Sequence, residues 1–146
     1  RLTELETVFE YRLVVEPAAA RLAAERRTKR TLDRLRRDLN TMNLLAEGSD
    51  EDAQPVSRFF STDIDFHHRI AEASRNPLLV RAVEDARAAL FLPVGGIFPT
   101  LHPAANYMHA EILDAIDARD ADRAAQAMID HISATQEALV ALSRPR

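Results

Sequence analysis

The amino-acid sequence predicts an all-α fold, an antiparallel helical bundle, and three observations support this prediction. Only three of its 146 residues are glycine, and two of those three are adjacent. Alanine, leucine, arginine and glutamate, which favour helices, dominate the rest of the chain. No segment shows the alternation of apolar and polar residues that is typical of a half-buried strand.

The composition limits the class of protein. The length fits a single domain, residues 1–146, and 47% hydrophobic with 29% charged residues indicates a globular chain. The absence of cysteine excludes disulfides and thiolate metal sites, and it is compatible with the reducing cytoplasm, where we expect the protein. No apolar run approaches the roughly 20 residues that span a membrane. The net charge of -4 indicates no nucleic-acid footprint on this chain.

The first two helices are predicted from the spacing of apolar residues. Residues 5–27 carry apolar side chains at helical intervals. Pro17 should bend this helix or split it in two, because proline lacks an amide proton. Thr28 is suited to cap a second helix that runs to about residue 47. The prediction is six helices in total, or seven if Pro17 breaks the first.

The third and fourth helices are predicted from the positions of prolines. An acidic loop, residues 48–54, separates the second helix from the third. Pro55 suits the first turn of a third helix that reaches about residue 75. Asn76 and Pro77 suit the N-cap and first turn of a fourth helix that ends near residue 92.

The last two helices follow an irregular segment, residues 93–103. Pro103 should begin the fifth helix, and Asp120 should cap a sixth that runs to about residue 142. The inward side of the fifth helix is predicted to carry Tyr107, Ile112, Leu113 and Ile116.

Asp63 and His67 are the first candidate site residues. They lie four residues apart in the third helix, so their side chains should share one face. Phe66 and Ile70 share much of that face, which should therefore point into the core. A buried ionised aspartate is costly unless it is paired or bound to a cation. The pair therefore indicates half of a metal site.

Two further histidines complete a candidate ligand set. His109 lies on the apolar stripe of the fifth helix, and His131 lies on the inward face of the sixth. A single inward histidine is explained as a satisfied core residue, but three of them with Asp63 indicate a site for a divalent cation. These donors suit zinc, nickel, manganese and iron(II) and do not select among them; among the four metals we expect zinc first. His68 is expected at the surface, and His102 lies in the irregular segment.

Arg12 is a candidate ligand-binding residue with two interpretations. Its register in the first helix can turn it into the bundle beside Glu16. One interpretation is a surface ion pair with Glu16, which would contribute roughly a few tenths of a kcal/mol. The other is a guanidinium clamp for a carboxylate ligand, because arginine binds carboxylates through two parallel hydrogen bonds. The spacing leaves both open.

Four short motifs occur in order over nearly the whole chain. Residues 12–17 follow the pattern R-x-x-x-E-P, residues 63–76 contain D-x-x-F-H followed by N, residues 109–120 follow H-x-x-I-x-x-A-I-x-x-x-D, and residues 128–131 follow M-x-x-H. Each motif is weak by itself. Together they resemble the C-terminal effector-binding and dimerisation domain of FadR-type (FCD) transcription regulators of the GntR family, in its shorter six-helix, VanR-like branch.

The resemblance implies a ligand sensor. It implies that Asp63, His67, His109 and His131 bind a divalent metal, and that Arg12 faces a small organic acid held by that metal. In the family a winged helix-turn-helix precedes this domain, and no such segment is recognised in residues 1–146. We therefore expect DNA to be bound only through that N-terminal domain, by a homodimer.

Two other functions stand as alternatives. The same ligand set would suit a metal-dependent hydrolase, in which bound metal lowers the pKa of water. However, no H-E-x-x-H motif is present, and Asp65 and Glu111, the available general bases, should face away from the metal. We therefore predict that the chain is not an enzyme. A plain dimerisation module without a ligand would leave Asp63 buried and unexplained.

Overall fold

The computed structural model describes residues 2–48, 54–94 and 103–143, and these residues form six α-helices and no strand. In chain order the helices are α1 (Leu2–Arg26), α2 (Lys29–Glu47), α3 (Pro55–Ala73), α4 (Pro77–Val94), α5 (Pro103–Asp117) and α6 (Ala121–Ser143). The prediction of an all-α helical bundle is confirmed. None of the described helices is long and apolar enough to cross a membrane.

The helix α1 lies at the centre of the bundle. It packs against α3, α4, α5 and α6, while α2 packs against α3 and α5. The main core takes fully buried side chains from different helices, including Phe9 of α1, Phe66 of α3 and Ile112 of α5. The inner faces of α1, α3, α5 and α6 therefore share one core, and polar side chains at the same height on those faces can meet.

Pro17 does not interrupt α1, so the seven-helix alternative is wrong. A proline inside a helix removes one backbone hydrogen bond and crowds the preceding turn. Here the turns that follow Pro17 bury four alanines against the other helices, Ala19, Ala20, Ala23 and Ala24. This burial stabilises α1 as one element despite the proline.

The helix ends follow the local chemistry that the sequence predicted. The side-chain oxygen of Thr28 accepts a hydrogen bond from the amide three residues further on, at 3.2 Å. Asn76 Oδ1 accepts from the amide two residues further on at 3.0 Å, and Asp120 Oδ1 from the amide three residues further on at 3.1 Å. Gly48 closes α2 in the left-handed conformation, with φ 70°.

Two predicted helix ends differ from the structure by two residues. The helix α3 ends at Ala73 and not at Arg75, because Arg75 has φ 57°, which does not continue a helix. The helix α4 continues through Pro93 to Val94, since a proline in the last turn removes a single hydrogen bond. The rest of the predicted irregular segment, residues 95–102 with His102, lies outside the described residues, and so do residues 49–53 of the acidic loop.

Candidate metal centre

The four predicted ligands meet in the interior of the bundle. Asp63 and His67 come from consecutive turns of α3, His109 comes from α5, and His131 comes from α6. Each side chain offers one ligand atom, and these four atoms lie within 4.8 Å of one another. All four residues are buried, with at most 9% of any of them exposed. The structure thus brings together the whole set that the sequence singled out.

The contacts within this cluster are close, and Asp63 Oδ1 lies among the imidazoles. It is 2.9 Å from His109 Nε2 and 3.2 Å from His67 Nε2. Despite these short distances, no described residue makes a hydrogen bond of good geometry to Asp63 Oδ1. His131 Nε2 lies 3.3 Å from His67 Nε2. A carboxylate oxygen and three imidazole nitrogens therefore converge where a cation would satisfy all of them.

Glu16 and Arg87 form the surroundings of the cluster. Glu16 Oε1 lies 2.5 Å from His67 Nδ1, on the far side of that imidazole from Asp63. Arg87 of α4 donates a hydrogen bond to Asp63 Oδ2 and also lines a surface cleft of about 470 Å³. Sequence reasoning did not assign either contact. Arg87 follows the buried Val83 by one helical turn, and this spacing was the signal that could have placed it inward.

The carboxylates of Asp63 and Glu16 are held in their ionised form. Burial raises the pKa of Asp63, but the charges of Arg87 and His67 outweigh it and hold that pKa well below its usual range. Burial likewise raises the pKa of Glu16, and Arg12 and His67 outweigh it, so that pKa is also far below its usual range. Asp63 can therefore ligate a cation without first losing a proton.

The three imidazoles of the cluster differ in their proton affinity. Burial, reinforced by His67 for both rings, lowers the pKa of His109 and lowers that of His131 strongly. Burial also opposes a charge on His67, but Asp63 and Glu16 outweigh it and raise the pKa of that ring. His109 and His131 are thus neutral at pH 7, as metal ligation requires, whereas a proton competes with a metal at His67.

Arg12 is almost completely buried, with 1% of the residue exposed. Its Nε donates a hydrogen bond to Glu16 Oε2, and its guanidinium carbon lies 5.2 Å from the centre of the Phe9 ring. The pair with Glu16 therefore exists, but it is not the surface pair that the sequence left open. No described residue forms a hydrogen bond with Arg12 Nη1 or Nη2, and both atoms are buried. Two charged donors without partners in a core indicate that a ligand belongs there.

Comparison with known proteins decides the family, because a model of the FCD domain matches residues 7–134. The chain belongs to the FCD domain family. The resemblance found in the sequence is therefore confirmed, and the FCD domain is a domain of GntR-family transcription regulators, not an enzyme. The hydrolase alternative is set aside on this finding.

Two relatives of this FCD domain are transcriptional repressors. The galactonate operon transcriptional repressor of Escherichia coli (strain K12) is 30% identical over 138 residues, which are 92% of this chain and 57% of that protein. The HTH-type transcriptional repressor NanR of Citrobacter rodentium (strain ICC168) is 32% identical over 138 residues, which are 89% of this chain and 50% of that protein. The chain thus spans about half the length of the curated relatives it matches.

Solved structures share the fold of this FCD domain. Streptococcus agalactiae GntR matches with a TM-score of 0.77 at 23% identity, over 92% of this chain and 58% of that chain. E. coli McbR/YncC matches with a TM-score of 0.83 at 18% identity, over 96% of this chain and 66% of that chain. At these identities the likeness shows the fold alone.

The other polar residues considered from the sequence lie apart from the cluster. His68 is partly exposed, and its two ring nitrogens contact Glu72 at 2.9 Å and Glu84 at 2.8 Å. Asp65 and Glu111 are exposed. These positions agree with the expectation that none of the three belongs to the ligand set of the FCD domain.

Proposed function

We propose that this FCD domain is a metal-dependent sensor of small carboxylic acids in a GntR-type transcription regulator. The observation that carries the proposal is the buried guanidinium edge of Arg12, Nη1 and Nη2, which has no partner among the described residues. Glu16 contacts both Arg12 and His67, so this edge belongs to the same buried polar network as the candidate metal ligands. Asp63, His67, His109 and His131 would hold the metal, and Arg12 would hold the acid.

The donor set fits a divalent cation of borderline softness. One carboxylate and three imidazoles suit zinc first, and also nickel, manganese or iron(II). When bound, such a metal supplies a Lewis-acidic position for an oxygen of the effector. The side chains of the protein would bind and orient the acid and exclude water from it.

The balance of charge favours an anionic effector. The buried carboxylates of Asp63 and Glu16 are matched by the guanidinium groups of Arg87 and Arg12. A divalent cation would therefore add two uncompensated positive charges to a buried site, which is unfavourable unless an anion accompanies it. A carboxylate supplies negative charge that compensates the cation, and its oxygens can accept hydrogen bonds from the two free nitrogens of Arg12.

The relatives indicate which acids to try first. One of them is named as the galactonate operon repressor, and galactonate is a hydroxylated carboxylate of the chemical class that the site favours. We propose a sugar acid or a related hydroxy acid as the effector. We also propose that its binding controls DNA contact by an N-terminal winged helix-turn-helix domain of a longer protein, since this chain carries a net charge of -4 and no basic nucleic-acid footprint.

The test combines metal analysis with calorimetry on a panel of sugar acids and hydroxy acids that begins with galactonate. Losing the charge-assisted contacts of Arg12 should cost roughly 1.5–3 kcal/mol, so Arg12→Ala should weaken acid binding about ten- to a hundredfold. Its metal content should stay at the parent level. Arg12→Lys should recover only part of the affinity, because an ammonium lacks the planar fork.

Two results would contradict the proposal. If the parent binds its acid equally well after treatment with chelator, the metal has no part in sensing. If Arg12→Ala binds that acid as tightly as the parent does, Arg12 is a structural residue that serves only to pair with Glu16.

A further inference from the structure

The carboxylate of Glu16 joins two side chains that the proposed function assigns to different ligands. Its Oε1 lies 2.5 Å from His67 Nδ1, and its Oε2 accepts a hydrogen bond from Arg12 Nε. Glu16 is 1% exposed, so water does not compete for either oxygen. Arg12, which would bind the effector, and His67, a candidate metal ligand, therefore both hydrogen-bond to the Glu16 carboxylate on α1.

The partners of Glu16 determine where the proton of a neutral His67 lies. Arginine can only donate hydrogen bonds, and an ionised carboxylate can only accept them. His67 Nδ1 must therefore carry a proton to bond with Glu16. The lone pair is then on Nε2, which faces the cluster, 3.2 Å from Asp63 Oδ1 and 3.3 Å from His131 Nε2. A second carboxylate that orients a histidine in this way is a common feature of metal sites.

We propose that Glu16 is a positioning residue that couples Arg12 to His67 and selects the His67 tautomer whose Nε2 can bind a metal. This inference rests on the proposed function for the identity of the two ligands. It adds that the effector site and the metal site share one carboxylate, that of Glu16.

A carboxylate is required here because both neighbours of Glu16 donate. A glutamine at this position has one acceptor oxygen and one NH₂ group. Arg12 Nε can only donate, so in Glu16→Gln the amide oxygen should turn towards Arg12 and the NH₂ group towards His67. His67 Nδ1 would then have to accept, which moves the proton to Nε2 and blocks the nitrogen that faces the cluster.

The experiment measures Zn²⁺ affinity by competition with a chromophoric chelator, without any acid present. Glu16→Gln should bind Zn²⁺ about 10- to 100-fold more weakly than the parent, the usual loss for an orienting carboxylate. The double variant Arg12→Met with Glu16→Gln should recover most of that loss. Without the guanidinium, the amide oxygen is free to turn to His67 and accept from Nδ1. The double variant also removes both members of a buried ion pair, which proteins tolerate better than the loss of one.

The ¹⁵N NMR spectrum of the imidazoles in the metal-free proteins is a second measurement, and it reports which ring nitrogen carries the proton at a pH where the rings are neutral. His67 should carry its proton on Nδ1 in the parent and in the double variant, and on Nε2 in Glu16→Gln. A purely structural role of Glu16 would not produce this reversal. The comparison of the parent with the double variant also holds if Glu16→Gln fails to fold.

Three outcomes would overturn the inference: equal Zn²⁺ affinity of Glu16→Gln and the parent, a double variant as weak as Glu16→Gln, or a parent His67 protonated on Nε2. A failure of the proposed function would give a different experimental result. If the parent binds no Zn²⁺, the metal assignment is wrong, while the tautomer of His67 still decides whether Glu16 positions that ring.

Discussion

At the scale of single residues, Asp63 is the side chain on which the site depends. Its two oxygens have separate surroundings: Oδ1 lies among the imidazoles, and Oδ2 accepts from Arg87. Arg87 thereby compensates the buried charge and orients the carboxylate with one oxygen towards the cluster. A metal and Arg87 would act on the same charge from opposite sides.

Replacement of Arg87 tests whether its guanidinium is the counter-charge of Asp63. Arg87→Met should lower the free energy of unfolding of the metal-free protein by roughly 3–5 kcal/mol, because it removes one partner of a buried ion pair and leaves the Asp63 carboxylate behind. Saturating Zn²⁺ should restore part of this loss, since the cation replaces the missing positive charge. Urea denaturation with and without Zn²⁺ measures both quantities.

The matched control for Arg87 is Arg21→Met. Arg21 pairs with Asp122 at the surface, where 46% and 89% of the two side chains are exposed. Loss of such a pair should change the free energy of unfolding by about 1 kcal/mol or less, with no dependence on Zn²⁺. Equal effects of the two replacements would refute the assignment of Arg87 as the counter-charge of Asp63.

The histidines provide a second test at this scale. His131→Ala should bind less Zn²⁺ and lose most of the stabilisation by the metal, which amounts to about 2.7 kcal/mol when free Zn²⁺ is 100 times the dissociation constant. His68→Ala is the control, because His68 lies next to His67 in sequence but contacts Glu72 and Glu84 outside the cluster. Elemental analysis and thermal melts should separate the two variants, and identical behaviour would mean that Zn²⁺ binds elsewhere.

At the scale of helices, the ends are determined by residues beside them. Thr28, Asn76 and Asp120 each supply a side-chain acceptor to the first turn of a helix. Gly48 ends α2 in the left-handed region, and its N–H bonds to the carbonyls of Leu44 and Leu45. The helix α2, which Thr28 and Gly48 delimit, packs against α3 and α5.

Gly48 provides a prediction about helix ends. Gly48→Ala should lower the free energy of unfolding by about 1–2 kcal/mol, the cost of a β-carbon in the left-handed conformation. The cost is conformational and not steric, because a β-carbon at Gly48 would meet no described atom within 4 Å. Gly48→Asn should lose less, since asparagine tolerates this region better. A loss as large for asparagine as for alanine would show that another property of the glycine matters.

At the scale of the whole molecule, α1 and α4 each leave a large apolar side chain exposed. These helices pack on each other through a small cluster that includes Val15, Ala19 and Val83. Outside this cluster, Val14 is 68% exposed on α1 and Leu78 is 70% exposed on α4. We propose that the face carrying Val14 and Leu78 forms the interface of a homodimer, as expected for a regulator that reads two-fold symmetric DNA.

The dimer is tested by a charge on that face. Val14→Arg should shift the protein towards monomer in light scattering over a dilution series, because it places a cation in an apolar interface. Leu44→Arg is the matched control, since Leu44 is 48% exposed on α2, away from this face. A parent that is monomeric at high concentration, or equal effects of the two variants, would contradict the proposed interface.

The sequence by itself determined the helices, their caps and the side of each helix on which the candidate ligands lie. A period of 3.6 residues decides which side chains share a face, and capping depends on neighbours two or three residues away. This local information was enough to select Asp63, His67, His109 and His131 before their positions in space were known. It was less accurate at Arg75 and Pro93, where the helix ends were misplaced by two residues.

Only the tertiary structure decided which side chains meet. Periodicity specifies a face, but the height and crossing angle at which two helices pack depend on all the side chains between them. For that reason the sequence did not reveal that Arg87 reaches Asp63 from α4, or that Glu16 reaches His67 from α1. The burial of Arg12 is likewise a property of the assembled bundle, because α3, α4, α5 and α6 all pack against α1.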